Sequence, residues 1–274
     1  MTKRIKLEIS YDGTNYSGWQ TQRDVPTIQQ TLETVLRRIT GEAVSVVGSG
    51  RTDAGVHAIK QVAAFTTASR LESAVFQRAM NGFLPTDIRI NSVTEVPQEF
   101  HPIFHAVGKR YRYLIDDNRP SSPFTRNHCW GGHQPLNVET MRRAAQHLLG
   151  EHDFSSFETQ GSPRKTPVRT VSDVRVERVA RFGNLIPPLI SIEVEATGFL
   201  YNMMRAICGT LVLFGVGKRR EFDHPEQMRN IIDRADRAVA GPTAPPQGLY
   251  LLDVFYSEEH IQRAAMRTAT PFVT

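Results

Sequence analysis

Ten consecutive residues hold most of the chemistry visible in this chain: Gly48-Ser49-Gly50-Arg51-Thr52-Asp53-Ala54-Gly55-Val56-His57. They place a carboxylate inside a glycine-flanked loop directly after an apolar stretch. Glycine allows backbone angles closed to other residues and lets a substrate approach the main chain, and loops are where catalytic groups concentrate. Asp53, with Arg51, Thr52 and His57 crowded around it, reads as a functional site rather than as packing. Two other readings compete. Asp in a glycine-rich turn often only hydrogen-bonds its own backbone. Gly48-Ser49-Gly50 also begins like the dinucleotide fingerprint G-x-G-x-x-G, but Asp53 stands where the third glycine would be and would repel a pyrophosphate, so no cofactor is expected.

Arg205 is the second candidate. Its surroundings, Leu200, Met203, Met204, Ile207, Leu211 and Phe214 on one side and Tyr201, Gly209 and Val212 on the other, form a helix apolar all round, which implies burial. A buried guanidinium needs a carboxylate partner, either a structural one or Asp53, which it would keep ionised. Lys109-Arg110-Tyr111-Arg112-Tyr113 is the third. Its tyrosines fit packing in a sheet, and with basic neighbours they also fit stacking on an extruded base. His101 and His105 have helical metal-ligand spacing, but Pro102 argues against a helix and a third ligand is missing, so no metal is expected.

These groups need a scaffold, and the hydrophobic patterning supplies one. Ile5, Leu7 and Ile9 alternate with charges as a strand; Thr27 and Gln30 form a capping box before a helix carrying Ile28, Leu32, Val35 and Ile39 and stopped at Gly41. Strand Val44–Val47 delivers the chain to the Asp53 loop, strand Gln61–Thr66 and helix Leu71–Asn81 follow, and strand Ile88–Val96 closes a βαββαβ order. The pattern restarts with strand Tyr111–Ile115, helix Val138–Leu149 capped by Asn137, strands near Val171–Val179 and Leu189–Ala196, helix Leu200–Phe214 and strand Leu249–Tyr256. An extra helix near His224–Ala235 and a Pro-rich loop, Gly241–Gln247, interrupt it. The expected fold is α+β: two similar, ferredoxin-like or RRM-like halves, 1–106 and 107–274, with mainly antiparallel sheets, helices on one face of each and an active-site cleft between them.

Composition narrows the function classes. With 274 residues, 40% hydrophobic and 22% charged, the chain is globular and large enough for two cores. Neither a signal peptide nor a membrane span is visible, and Cys129 and Cys208 lack any disulfide or zinc spacing, which suits a cytoplasmic protein. A net charge of +5, with Lys and Arg clustered at 109–112, 164–169 and 218–220, points to an anionic partner, and the interleaved tyrosines favour nucleic acid.

Over almost its whole length the chain resembles the TruA family of tRNA pseudouridine synthases. The resemblance rests on Tyr11-Asp12-Gly13 with Gly18-Trp19-Gln20, on Gly50 to His57, on Phe100-His101 followed by Lys109 to Tyr113, on Gly150-Glu151-His152-Asp153-Phe154-Ser155-Ser156-Phe157, and on Met204-Arg205. It implies a homodimeric enzyme that isomerises uridines near positions 38–40 of the tRNA anticodon stem-loop without metal or cofactor. Asp53 would be the catalytic carboxylate, Arg205 its ion-pair partner, and Tyr111 the ring that stacks on the target base and assists proton transfer. Arg51 would manage the extruded nucleotide, with His57, Lys109 and Arg110 also at the substrate. A non-catalytic RNA-binding protein and a hydrolase that cleaves a nucleoside's glycosidic bond are the rivals. A carboxylate in the loop speaks against the first, and free uracil would betray the second.

Overall fold

The computed structural model describes residues 1–132, 134–159, 166–180 and 188–257. It divides into two compact units, Met1–Gly108 with the described chain from Leu251 on, and Lys109–Tyr250. Part of the basic cluster at 164–169 lies outside the described residues. The last strand, β9 (Leu249–Phe255 in chain order), thus ends in the first unit.

The first unit follows the expected order: β1 (Lys3–Tyr11), α1 (Ile28–Thr40), β2 (Val47–Gly48), β3 (His57–Thr67), α2 (Ser73–Phe83) and β4 (Ile88–Val96). β1 lies between β3 and β4, antiparallel to both, and β2 pairs antiparallel with β3. Alternation in β1 buries Ile5, Leu7 and Ile9 completely. α1 starts and stops where its caps dictate: Thr27 accepts from the Gln30 amide, and Gly41 turns left-handed with its N–H on the Arg37 carbonyl. α2 adds Phe76, edge-on to Phe65 of β3 at 5.8 Å. Three elements differ in their bounds from the sequence expectation: α2 runs Ser73–Phe83 and not Leu71–Asn81, and both strands around the Asp53 loop shift as well. β2 is only Val47–Gly48, because α1 side chains take the preceding backbone: Glu33 accepts the Val46 amide at 2.9 Å, and Gln29 donates to its carbonyl at 3.0 Å. β3 starts at His57 and not at Gln61, because pairing with β1 runs on to Tyr11 opposite Ala58.

The second unit contains β5 (Gly108–Ile115), α3 (Val138–Gln146), β6 (Gly150–Asp153), β7 (Val168–Val179), β8 (Leu189–Ala196), α4 (Met203–Val216) and α5 (Gln227–Asp233). Its sheet runs β5-β8-β7-β6, antiparallel throughout. The short β6 was not expected from the sequence. α4 is buried along most of its length, as an all-round apolar helix must be. It begins at Met203 and not Leu200, because Asn202 adopts a left-handed conformation with φ 61°. Gly209 lets the Pro-rich loop lie directly on α4, since a Cβ there would overlap the Pro242 carbonyl oxygen. The Gly241 amide then reaches the Thr210 hydroxyl at 2.8 Å. The architecture is α+β with antiparallel strands.

Candidate active site

Residues 49–56 connect β2 to β3 and are held from below by the first unit. Gln61, fully buried on β3, accepts from the Ser49 hydroxyl at 2.6 Å and donates to the Gly50 carbonyl at 2.9 Å. One residue beyond Arg51, the Thr52 hydroxyl meets the Tyr11 hydroxyl at 2.8 Å, and the Thr52 carbonyl accepts the Trp19 amide at 3.0 Å. On the far side of Asp53, the Gly55 amide donates to the Tyr16 carbonyl and the Val56 amide turns back onto the Asp53 carbonyl. The loop is therefore pinned on both flanks of Asp53 by groups other than the Asp53 side chain. Thr52 is buried, Asp53 half-buried and Arg51 exposed.

The segment that does the pinning is itself knotted. The Tyr16 hydroxyl donates to Asp87 at 2.7 Å, and Asp12 accepts from the Thr14 amide and hydroxyl. His57, expected at the substrate, is only 2% exposed. Its Nδ1 accepts the Gly13 amide at 3.1 Å, with an Asp12 oxygen at the same distance. The imidazole braces the turn under the loop. Its position corrects the expected substrate contact to a positioning one.

Burial pushes the Tyr11 phenol up to about 12, with hydrogen bonds from Thr52 and Gln61 pulling the other way. Burial also raises Tyr16, Tyr113 and Tyr256. A phenol with a higher pKa folded than unfolded contributes stability that is complete below its unfolded value of about 10 and is lost as pH rises through the folded value. The melting temperature should hold to about pH 9 and fall between about pH 10 and 12, and Tyr11→Phe should make that fall shallower. An equally steep fall in the variant would exclude Tyr11 as a contributor.

The remaining expected site residues, Lys109, Arg110, Tyr111 and Arg205, belong to the second unit. Tyr111 is 8% exposed, and Phe199 meets its ring edge-on at 4.8 Å. Arg205 is half-buried and not fully buried. Its Nε donates to the Ala244 carbonyl at 2.7 Å and its Nη1 to Asn202 at 2.9 Å, so the Pro-rich loop and the helix start both aim the guanidinium. Arg110 corrects the sequence expectation most. It is 1% exposed, because β5 pairs with β8 and sets Arg110 opposite Glu195 and Arg112 opposite Glu193. Arg110 bonds Glu195 at 2.8 and 3.1 Å and Asp173 at 2.9 Å, with Glu193 at 3.6 Å; Arg112 forms a close pair with Glu193. Arg110 is a buried structural cation, not a substrate contact. Lys109 is half-buried at the start of the same strand.

Sequence reasoning left Gln61, Ser49 and Phe199 without roles. Gln61 carried a signal, an amide in the apolar run Gln61-Val62-Ala63-Ala64-Phe65, since a polar side chain buried in a strand must have partners. Among the described residues, no helix is long and apolar enough to cross a membrane.

A family profile described as tRNA pseudouridine synthase matches residues 9–105 and 144–257. The chain is 42% identical to the tRNA pseudouridine synthase A of Thermoanaerobacter sp. over 254 residues, covering 93% of this chain and 100% of that protein. The proteins of the same name from Acetivibrio thermocellus and Geotalea uraniireducens are each 44% identical over the same length and coverage.

Proposed function

The chain belongs to the tRNA pseudouridine synthase family, and from that premise we infer that it is an isomerase that converts uridine of tRNA to pseudouridine. Asp53 is the catalytic carboxylate. Supporting this is the loop itself, held on both sides of Asp53 through Gln61, Tyr11, Trp19 and Tyr16.

A paired or stacked uridine is out of reach, so it must be extruded at a cost of a few kcal/mol, offset by backbone contacts and stacking. The exposed Arg51 is assigned to the extruded nucleotide and Tyr111 to stacking on its base, with Phe199 setting the ring's orientation. Asp53 breaks the bond between uracil N1 and ribose C1′, by attack on the sugar or by assisting elimination. Uracil rotates, C5 bonds to C1′, C5 loses its proton and N1 gains one, so no atoms enter or leave. Arg205 is assigned as the counter-cation that keeps the carboxylate ionised. The targets are uridines 38–40 of the anticodon stem-loop, and the enzyme works as a cytoplasmic homodimer that needs neither metal nor cofactor.

The test is to incubate the protein with an unmodified tRNA transcript and read carbodiimide-dependent stops in primer extension. Stops at positions 38–40 are expected. Release of free uracil would make the protein a hydrolase, and binding without either product would make it a non-catalytic RNA binder.

The clamp can be tested separately. Gly13 lies so close under the loop that a Cβ would overlap the Val56 carbonyl oxygen. Gly13→Ala must therefore move the loop, and misplacement by about 1 Å costs on the order of 10²-fold in rate. Activity should fall by about that factor, and an unchanged kcat would show that loop position does not matter.

A further inference from the structure

The turn after β4 is constructed to hold a pair of rings at the surface. Phe100 packs against His105 at 5.8 Å and Tyr256 at 5.2 Å; Arg4 Nε donates to its carbonyl at 3.2 Å, and the Tyr256 hydroxyl donates to the Pro102 carbonyl at 2.9 Å. His101 Nδ1 accepts the amides of Ile103 and Phe104 at 3.2 and 3.4 Å, and His105 Nδ1 accepts the His101 amide at 3.3 Å. With both Nδ1 atoms accepting, each ring keeps an Nε2–H as its donor. On this frame Phe104 stacks on His101, with centroids 4.2 Å apart and planes 25° from parallel, yet it is 79% exposed. Ile103 beside it is 47% exposed. The Phe104 ring is thus held in place by its stack on His101 while its other face is open to solvent.

We propose that the His101–Phe104 pair is a stacking platform for an unpaired base of the tRNA, distinct from the uridine that is isomerised. This rests on the tRNA reading above. A planar aromatic face accepts any base, the imidazole Nε2–H groups at its edge suit phosphate or base-edge acceptors, and a chain of net charge +5 draws the polyanion in. β1 gives the spacing: Tyr11 meets the Asp53 loop, and Arg4, seven residues earlier, holds Phe100, a separation of roughly 23 Å along the strand. The platform therefore takes a nucleotide well away from the reacting one and adds to substrate affinity, not to chemistry.

The test measures pseudouridine formation on a full-length unmodified tRNA transcript by wild type, Phe104→Ala, Phe104→Leu and Phe104→Tyr. Base–aromatic stacking of about 1–3 kcal/mol corresponds to fivefold or more in affinity. KM should rise at least about fivefold for Phe104→Ala and Phe104→Leu, kcat should stay within about twofold, and Phe104→Tyr should match wild type. An unchanged KM in Phe104→Ala would overturn the proposal, as would a Phe104→Leu enzyme equal to wild type, because leucine keeps the apolar contact and loses the stack. A changed molecular mass of Phe104→Ala in solution would overturn it too, assigning the patch to a protein partner. Wild type that forms no pseudouridine would instead overturn the isomerase assignment on which the platform rests.

Discussion

Asp53→Asn should bind tRNA within a few-fold of wild type, melt within a degree or two of it, and form pseudouridine slower by a factor of 10⁴ or more, the scale of losing a reacting side chain. That factor is about 5.5 kcal/mol of transition-state stabilisation. The asymmetry follows from the clamp. Gln61, Tyr11, Trp19 and Tyr16 hold the loop through Ser49, Gly50, Thr52 and Gly55, so the isosteric amide leaves those bonds in place. Asparagine can neither attack the sugar as a carboxylate nor assist elimination as a base. Single-turnover rates beside equilibrium binding of the same transcript make the comparison. Turnover within tenfold of wild type would remove Asp53 from the reaction.

Glu195→Ala should have the largest effect on stability. It strips the buried Arg110 of its closest partner, and breaking a buried ion pair from one side costs about 3–5 kcal/mol. For a chain of this size that corresponds to a fall on the order of 10 °C in melting temperature. Replacing both partners, as in Arg110→Met with Glu195→Leu, should recover more than half of the loss, since the stranded charge and not the missing attraction is the main penalty. Thermal melts of the single and double variants decide it. A single variant within 2 °C of wild type would mean that Asp173 and Glu193 suffice for Arg110.

That ion-pair face shows where sequence reasoning reached its limit. β1, α1 and β4 were readable because their signals are local: alternation in Ile5, Leu7 and Ile9, and the caps Thr27 and Gly41. Antiparallel α+β order was readable for the same reason. Arg110 was not, because its partners lie far along the chain and only the register of β5 against β8 brings them opposite. A basic strand reads as an RNA contact until the acids across from it are known. His57 misled similarly, since sequence reasoning places it at the substrate beside Asp53, whereas its ring is buried against the distant turn at Asp12 and Gly13. Arg205 was half legible. The apolar helix was evident, but Asn202 shortens it at the start and leaves the guanidinium partly open.

Ser49, Gly50 and Thr52 are bonded directly to side chains of β3 and β1. Calorimetrically, such a loop has no folding to contribute when tRNA arrives. The heat-capacity change of association then reflects surfaces brought together and the base drawn from its stack, without the large negative increment of a segment that orders on binding. Substrate affinity that in a disordered loop would be diverted into ordering is retained for extruding the uridine.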